Sequence, residues 1–183
     1  GLDEFKRTVN SNYFQWLPTD LRDPQFRAVL RRWLRHPTPR VAMARLEGGK
    51  AYVDSRIGDP FRTSRARIGY ALFVALLWEA VHRLVPSSLL ERLEEPELGN
   101  PLTISYQGGR ITQDLCNSAL EYSAATEGLP CGPSSVGRVM ELGAGYGRLA
   151  WVFLQELPDV RYFVVDIPPA LAVAEEYLSA VFP

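Results

Sequence analysis

Apolar positions along the chain change period several times, and each change predicts an element. After Asp23-Pro24, Phe26, Val29, Leu30, Trp33 and Leu34 recur at spacings of three and four, which predicts an amphipathic helix to about Arg35, with Asp23 as its cap and Pro24 at its first position. His36-Pro37-Thr38-Pro39 ends it, and residues 40 to 60 read as loop. Thr63 or Ser64 caps a second helix that runs to about Val85. Within it Ala71 to Trp78 is apolar on every side, the pattern of a helix buried all round. Ser87-Ser88-Leu89 opens a short helix. Leu102 to Tyr106 and Arg110 to Thr112 flank Gln107-Gly108-Gly109 as a small hairpin. Thr112 then caps a helix through Leu115, Ala119, Leu120 and Tyr122 that stops at Gly128.

After a linker from Leu129 to Ser135 the pattern becomes that of alternating strands and helices. Val139-Met140-Glu141-Leu142 is an apolar strand interrupted by one acid, and Gly143-Ala144-Gly145-Tyr146-Gly147 is a tight turn. Arg148 to Leu157 is a helix with Leu149, Val152, Phe153 and Leu157 at helical spacing. Val160 to Val165 is a second strand ending at Asp166. Pro168-Pro169 opens a last helix with Leu171, Val173, Ala174, Tyr177, Leu178 and Val181. The expected fold is α/β: a mostly helical region over residues 1–130 with its hairpin near 102–112, then the first half of a Rossmann-like sheet over 131–183. Two strands alone leave a central strand unpaired. The expectation is therefore either that the sequence is the truncated leading portion of a longer protein or that the exposed sheet edge pairs with a second subunit in a homo-oligomer.

Composition narrows the function classes. The 183 residues carry 20 Lys and Arg against 21 Asp and Glu, a formal net charge of -1, so no general nucleic-acid surface is expected. The arginines at 27, 31, 32 and 35 fit a solvated helix face better than a phosphate patch. Cys116 and Cys131 make no disulfide framework and read as reduced thiols of a cytoplasmic protein; with two histidines in the chain, no metal site is expected. The apolar run in the second helix is far short of the roughly 20 residues that span a bilayer, and Arg65, Arg67, Glu79 and Arg83 bracket it, so no membrane partner is expected. His36, in a proline-broken loop, reads as incidental.

The candidate chemistry lies in the glycine turn. Alternate glycines allow positive φ and keep side chains away from a ligand, and the following helix points its N-terminal amides at the same place. A dinucleotide fingerprint would need glycine at position 148, where the chain has Arg148. Glu141, two residues before the first glycine, would repel a pyrophosphate and suits a cationic or ammonium group. Asp166, at the end of the next strand, can accept two ribose hydroxyls. A dinucleotide-dependent oxidoreductase is accordingly disfavoured.

At these residues the chain resembles the class I S-adenosylmethionine-dependent methyltransferases, whose first motif is an apolar strand, an acid and Gly-x-Gly-x-Gly. The resemblance implies S-adenosylmethionine as cofactor, Glu141 near its amino end, Gly143, Ala144, Gly145 and Gly147 along it, and Asp166 with Ile167 at the ribose. A closer resemblance covers Glu95 to Pro101, Gly109 to Asp114, Glu141 to Leu149 and Asp166 to Leu171, which are similar to sugar O-methyltransferases of polysaccharide and antibiotic gene clusters. It implies methyl transfer to a hydroxyl of a sugar or glycosylated natural product, with Gln113, Asp114 and Glu121 on a helix over the cofactor pocket or serving only as caps and solvated side chains. His82, Tyr106 and Asp114 are the candidate catalytic bases. The rival expectation is a methyltransferase-like domain that does not methylate, a binding or scaffold module or a non-redox biosynthetic enzyme.

Overall fold

The computed structural model describes residues 45–47, 64–99 and 101–183, a mixed α/β arrangement. Its elements in order are β1 (Arg45–Glu47), α1 (Ser64–Leu84), α2 (Ser87–Leu90), β2 (Thr103–Tyr106), β3 (Gly109–Ile111), α3 (Gln113–Thr126), β4 (Arg138–Leu142), α4 (Arg148–Glu156), β5 (Arg161–Val165) and α5 (Pro168–Val181). The expected helix from Asp23 to Arg35, its arginines and His36 lie outside the described residues. Two compact units emerge, one of residues 81–98 and 114–183, the other of residues 45–47, 64–80, 99 and 101–113. No helix among the described residues is long and apolar enough to cross a membrane.

The described residues of the second unit build a hairpin with a helix. β2 and β3 pair antiparallel, with Tyr106 opposite Gly109, so Gln107 and Gly108 form a two-residue turn, both at positive φ (54° and 83°). That is the backbone sense whose twist matches a hairpin. β1 adds on the other side of β2, giving the order β1-β2-β3. At residues 45–47 this corrects the expectation of loop; the rest of 40 to 60 lies outside the described residues. Arg45-Leu46-Glu47 has no β-branched residue and is too short to show alternation, so only its pairing with β2 makes it a strand. Val74 to Trp78 are buried as a run, together with Leu102, Ile104 and Ile111, while Leu72 is 38% exposed, so α1 is not buried all round. The Tyr70 hydroxyl donates to the Leu102 carbonyl at 3.1 Å.

The first unit, of residues 81–98 and 114–183, carries a βαβ arrangement. β4 and β5 are parallel, Arg138 opposite Arg161 through Leu142 opposite Val165, with α4 as the connection. Alternation divides the pair into two faces. Val139, Glu141, Tyr162 and Val164 are half-buried, and an aromatic series reaches that face from the helices: Tyr122 of α3 meets Phe153 of α4 edge-on at 4.8 Å, and Phe153 meets Tyr162 at 5.5 Å. Met140, Leu142, Phe163 and Val165 form the other face and are exposed, Leu142 at 84%. Among the described residues β4 and β5 pair only with each other. On α5 the buried positions are Ala170, Ala174 and Tyr177, a single helical face; Leu171 lies outside it. Arg92 forks onto Glu156 at the end of α4, its Nε donating to Oε1 at 3.0 Å.

Candidate functional site

The turn between β4 and α4 is built from its backbone. Gly143, Gly145 and Gly147 have φ of 81°, 60° and 86°, values that cost an L side chain roughly 1–2 kcal/mol each. The Gly143 N–H donates to the Val165 carbonyl at 2.8 Å, extending the parallel ladder one step past β4, and the Gly147 N–H donates to the Ala144 carbonyl at 2.9 Å. The three glycines then part company. A Cβ on Gly143 or Gly145 would meet nothing within 4 Å, whereas one on Gly147 would lie 3.0 Å from Leu178 Cδ1. Gly147 is small because α5 packs against it, and Gly143 and Gly145 face open space.

Asp166 closes the turn from the next strand. Its Oδ2 accepts from the Gly145 N–H at 2.7 Å and its Oδ1 from the Ile167 N–H at 2.7 Å. Each oxygen keeps a second lone pair for a ligand hydroxyl. Ile167 itself is 66% exposed. Glu141 projects from the half-buried face of β4, and its Oε2 accepts from the Tyr162 hydroxyl at 2.8 Å. Burial raises the Glu141 carboxyl above the ordinary glutamate value, the Tyr162 hydrogen bond pulls it down, and the like charge of Asp166 raises it. On α3, Glu121 is also raised, by desolvation and then by the charges of Glu141 and Asp114. Among the described residues Glu141 has no basic partner.

Beside the turn lies a compensated polar network. Arg148, the first residue of α4, is buried, and its guanidinium donates to Glu95 Oε2 at 2.6 Å and to the Tyr177 hydroxyl at 3.0 Å. It also stacks over the Trp151 ring at 4.3 Å. Burial is the largest influence and lowers its pKa, but Glu95 together with Tyr146, Tyr177 and Asp114 raises it by more, so the net direction is upward and it stays charged. Tyr146, inside the glycine turn, is buried; its hydroxyl donates to Asp114 Oδ2 at 2.8 Å, and its ring meets Tyr177 edge-on at 5.2 Å. Burial, followed by the charge of Asp114, pushes that phenol far up, so it is a fixed donor.

The expected cofactor residues Glu141, Gly143, Ala144, Gly145, Gly147, Asp166 and Ile167 thus converge on the carboxyl end of β4 and β5. No protein family model, curated protein or solved structure matches the chain. Of the expected bases, Asp114 enters the same neighbourhood through Tyr146. His82 is exposed near the end of α1. Tyr106 belongs to the hairpin unit, buried, and donates to Glu79 Oε1 at 2.5 Å, an oxygen that also accepts from Gln107 Nε2 at 2.7 Å. Among the described residues no group of three or more His, Cys, Asp or Glu is arranged to hold a metal ion. Cys116 is buried and Cys131 exposed, both free thiols; desolvation and the nearby Glu95 raise the Cys116 pKa, so it is an unreactive core residue.

Sequence reasoning missed Tyr162, Tyr146 and the Glu95–Arg148 pair as parts of the site. Tyr162 could have been found: Glu141 pairs with Val164, and alternation then sets Tyr162 on the face of Glu141, one step along the strand. Glu95 lies 53 positions from Arg148, and no local spacing signals that pairing.

Proposed function

We propose that the chain binds S-adenosylmethionine at the glycine turn and belongs to a class I methyltransferase fold, with β4, α4 and β5 as the opening of its Rossmann-like sheet. The observation that carries this reading is the charge of the open part of the turn. Glu141 and Asp166 flank the glycines, and among the described residues no basic side chain is paired to either, while Arg148 is buried and committed to Glu95. Such a surface favours a cation and disfavours a pyrophosphate, which is the electrostatic difference between an S-adenosylmethionine site and a dinucleotide site. The space over Gly143 and Gly145 suits a ligand lying against the backbone.

In this reading Glu141 holds the ammonium end and Asp166 takes the ribose hydroxyls through its remaining lone pairs. When bound, S-adenosylmethionine supplies an electrophilic sulfonium methyl group. The chain's part is to hold the acceptor hydroxyl in line and take its proton. Asp114 is the favoured base, because Tyr146 fixes one of its oxygens beside the turn and leaves the other able to accept a proton. The acceptor is a hydroxyl of a sugar or glycoside. That choice is supported by the resemblance of four segments to sugar O-methyltransferases, two of which meet as Glu95 and Arg148.

The test is equilibrium dialysis of the chain against S-adenosylhomocysteine and against a nicotinamide dinucleotide, followed by transfer of labelled methyl to a panel of glycosides. Retention of the first ligand and not the second is expected. The reverse selectivity would reject the reading.

A further inference from the structure

We propose, on the basis of that cofactor reading, that Tyr162 is a positioning residue for the cationic end of the ligand: its phenol holds one oxygen of Glu141 and so presents the other to the ligand's ammonium. The Tyr162 hydroxyl lies 2.8 Å from Glu141 Oε2, and among the described residues Oε1 takes no hydrogen bond. The phenol is itself well placed to act as a fixed post. Its ring leans on Phe153 at 5.5 Å, and Phe153 is wedged by Tyr122 at 4.8 Å, so three elements restrict where the hydroxyl can go. A glutamate on a half-buried strand position otherwise samples several rotamers, and a carboxylate ordered in advance binds its ligand with less entropy to lose.

The electrostatics give the same assignment. Asp166 after β5 brings negative charge to bear on Glu141, and Glu141 in turn raises Glu121 on α3; among the described residues no cation is paired with Glu141. Tyr162 is the hydrogen-bond donor that favours the charged form. Burial, then the hydrogen bond to Glu141, raises the phenol's own pKa, so it remains a donor wherever the protein is folded. A purely structural role explains less, since at a half-exposed site water can replace the bond at little cost in stability.

The experiment is calorimetric titration of S-adenosylhomocysteine, between pH 4 and 8, into the full chain, Tyr162→Phe, Glu141→Gln and the double variant. Tyr162→Phe keeps the ring against Phe153 and removes only the hydroxyl. The expected result is about threefold to tenfold weaker binding at pH 7 in Tyr162→Phe. The acid midpoint of binding should also move to higher pH, because the donor that favours the carboxylate is gone. In Glu141→Gln that acid limb should disappear, and adding Tyr162→Phe should change nothing further. Weaker binding with an unmoved midpoint, binding equal to the parent, or a Tyr162→Phe chain that does not fold would each overturn the assignment while leaving the cofactor reading intact. Absence of binding in the parent chain would overturn both.

Discussion

Glu95 and Glu141 are acids of the same unit, each held by a short hydrogen bond, yet they do opposite things. Glu95 is 3% exposed and meets the guanidinium of Arg148, with Tyr177 completing the arginine's partners. Glu141 is half-buried, is held among the described residues by a neutral phenol, and has Asp166 as its charged neighbour. A buried charge is tolerated in a core when its partner goes in with it. An uncompensated one lowers stability, and the ligand that would compensate it is a cation. The glycines divide in the same way, Gly147 against Leu178 and Gly143 and Gly145 against open space. The unit therefore has a satisfied side that holds the turn in place and an unsatisfied side that is the candidate site.

The most forceful way to break this contrast is to remove the compensation. Arg148→Met takes the guanidinium away from the buried Glu95 carboxylate, and about 3–5 kcal/mol of unfolding free energy should be lost in urea titration. The orphaned Arg148 Nε, buried without a partner, already offsets part of what the pair contributes, so a loss near the lower end would still fit. Next comes Gly147→Ala, where positive φ and the 3.0 Å approach to Leu178 act together. A loss of about 2–3 kcal/mol is expected. Gly145→Ala has the φ penalty without the clash, so it should cost only about 1–2 kcal/mol and weaken S-adenosylhomocysteine binding more than Gly147→Ala does at matched stability.

How far the sequence showed this division depends on the range of the interactions involved. β4, the turn, α4, β5 and α5 were legible because each is set by local patterning: alternation, glycine at positive φ, helical spacing and Pro168-Pro169 at a helix start. Glu141, the glycines and Asp166 were legible as candidates for the same reason. Arg148 was visible only as a residue that is not glycine, since its meaning depends on Glu95 and Tyr177, both distant in sequence. Tyr162 lay within reach of alternation once the parallel register was given. β1 was not legible, because Arg45-Leu46-Glu47 has no strand signal of its own and acquires one only by pairing with β2.

Two smaller effects sharpen the contrast. Glu141→Gln keeps the shape and removes the uncompensated charge. Because the folded carboxyl titrates above the unfolded one, the folded state holds more protons in between, and wild-type stability should fall as pH rises from the ordinary glutamate value of 4.5 through the raised folded value. Thermal unfolding should show that slope flattened in Glu141→Gln, with the variant slightly more stable than wild type at pH 7. Tyr106→Phe, in the hairpin unit, removes the hydroxyl bonded to Glu79. It should cost about 1–2 kcal/mol of stability and leave S-adenosylhomocysteine affinity unchanged.

On the proposed reading, Glu141 trades stability for the binding of a cation-bearing nucleoside. One calorimetric comparison tests it most directly: S-adenosylhomocysteine titrated into the wild-type chain and into Glu141→Gln at pH 7, each with its melting temperature recorded. The wild type should bind measurably, and the variant should bind at least about tenfold more weakly while melting no lower. Equal affinity in the two proteins, or a Glu141→Gln variant that is clearly less stable, would contradict it.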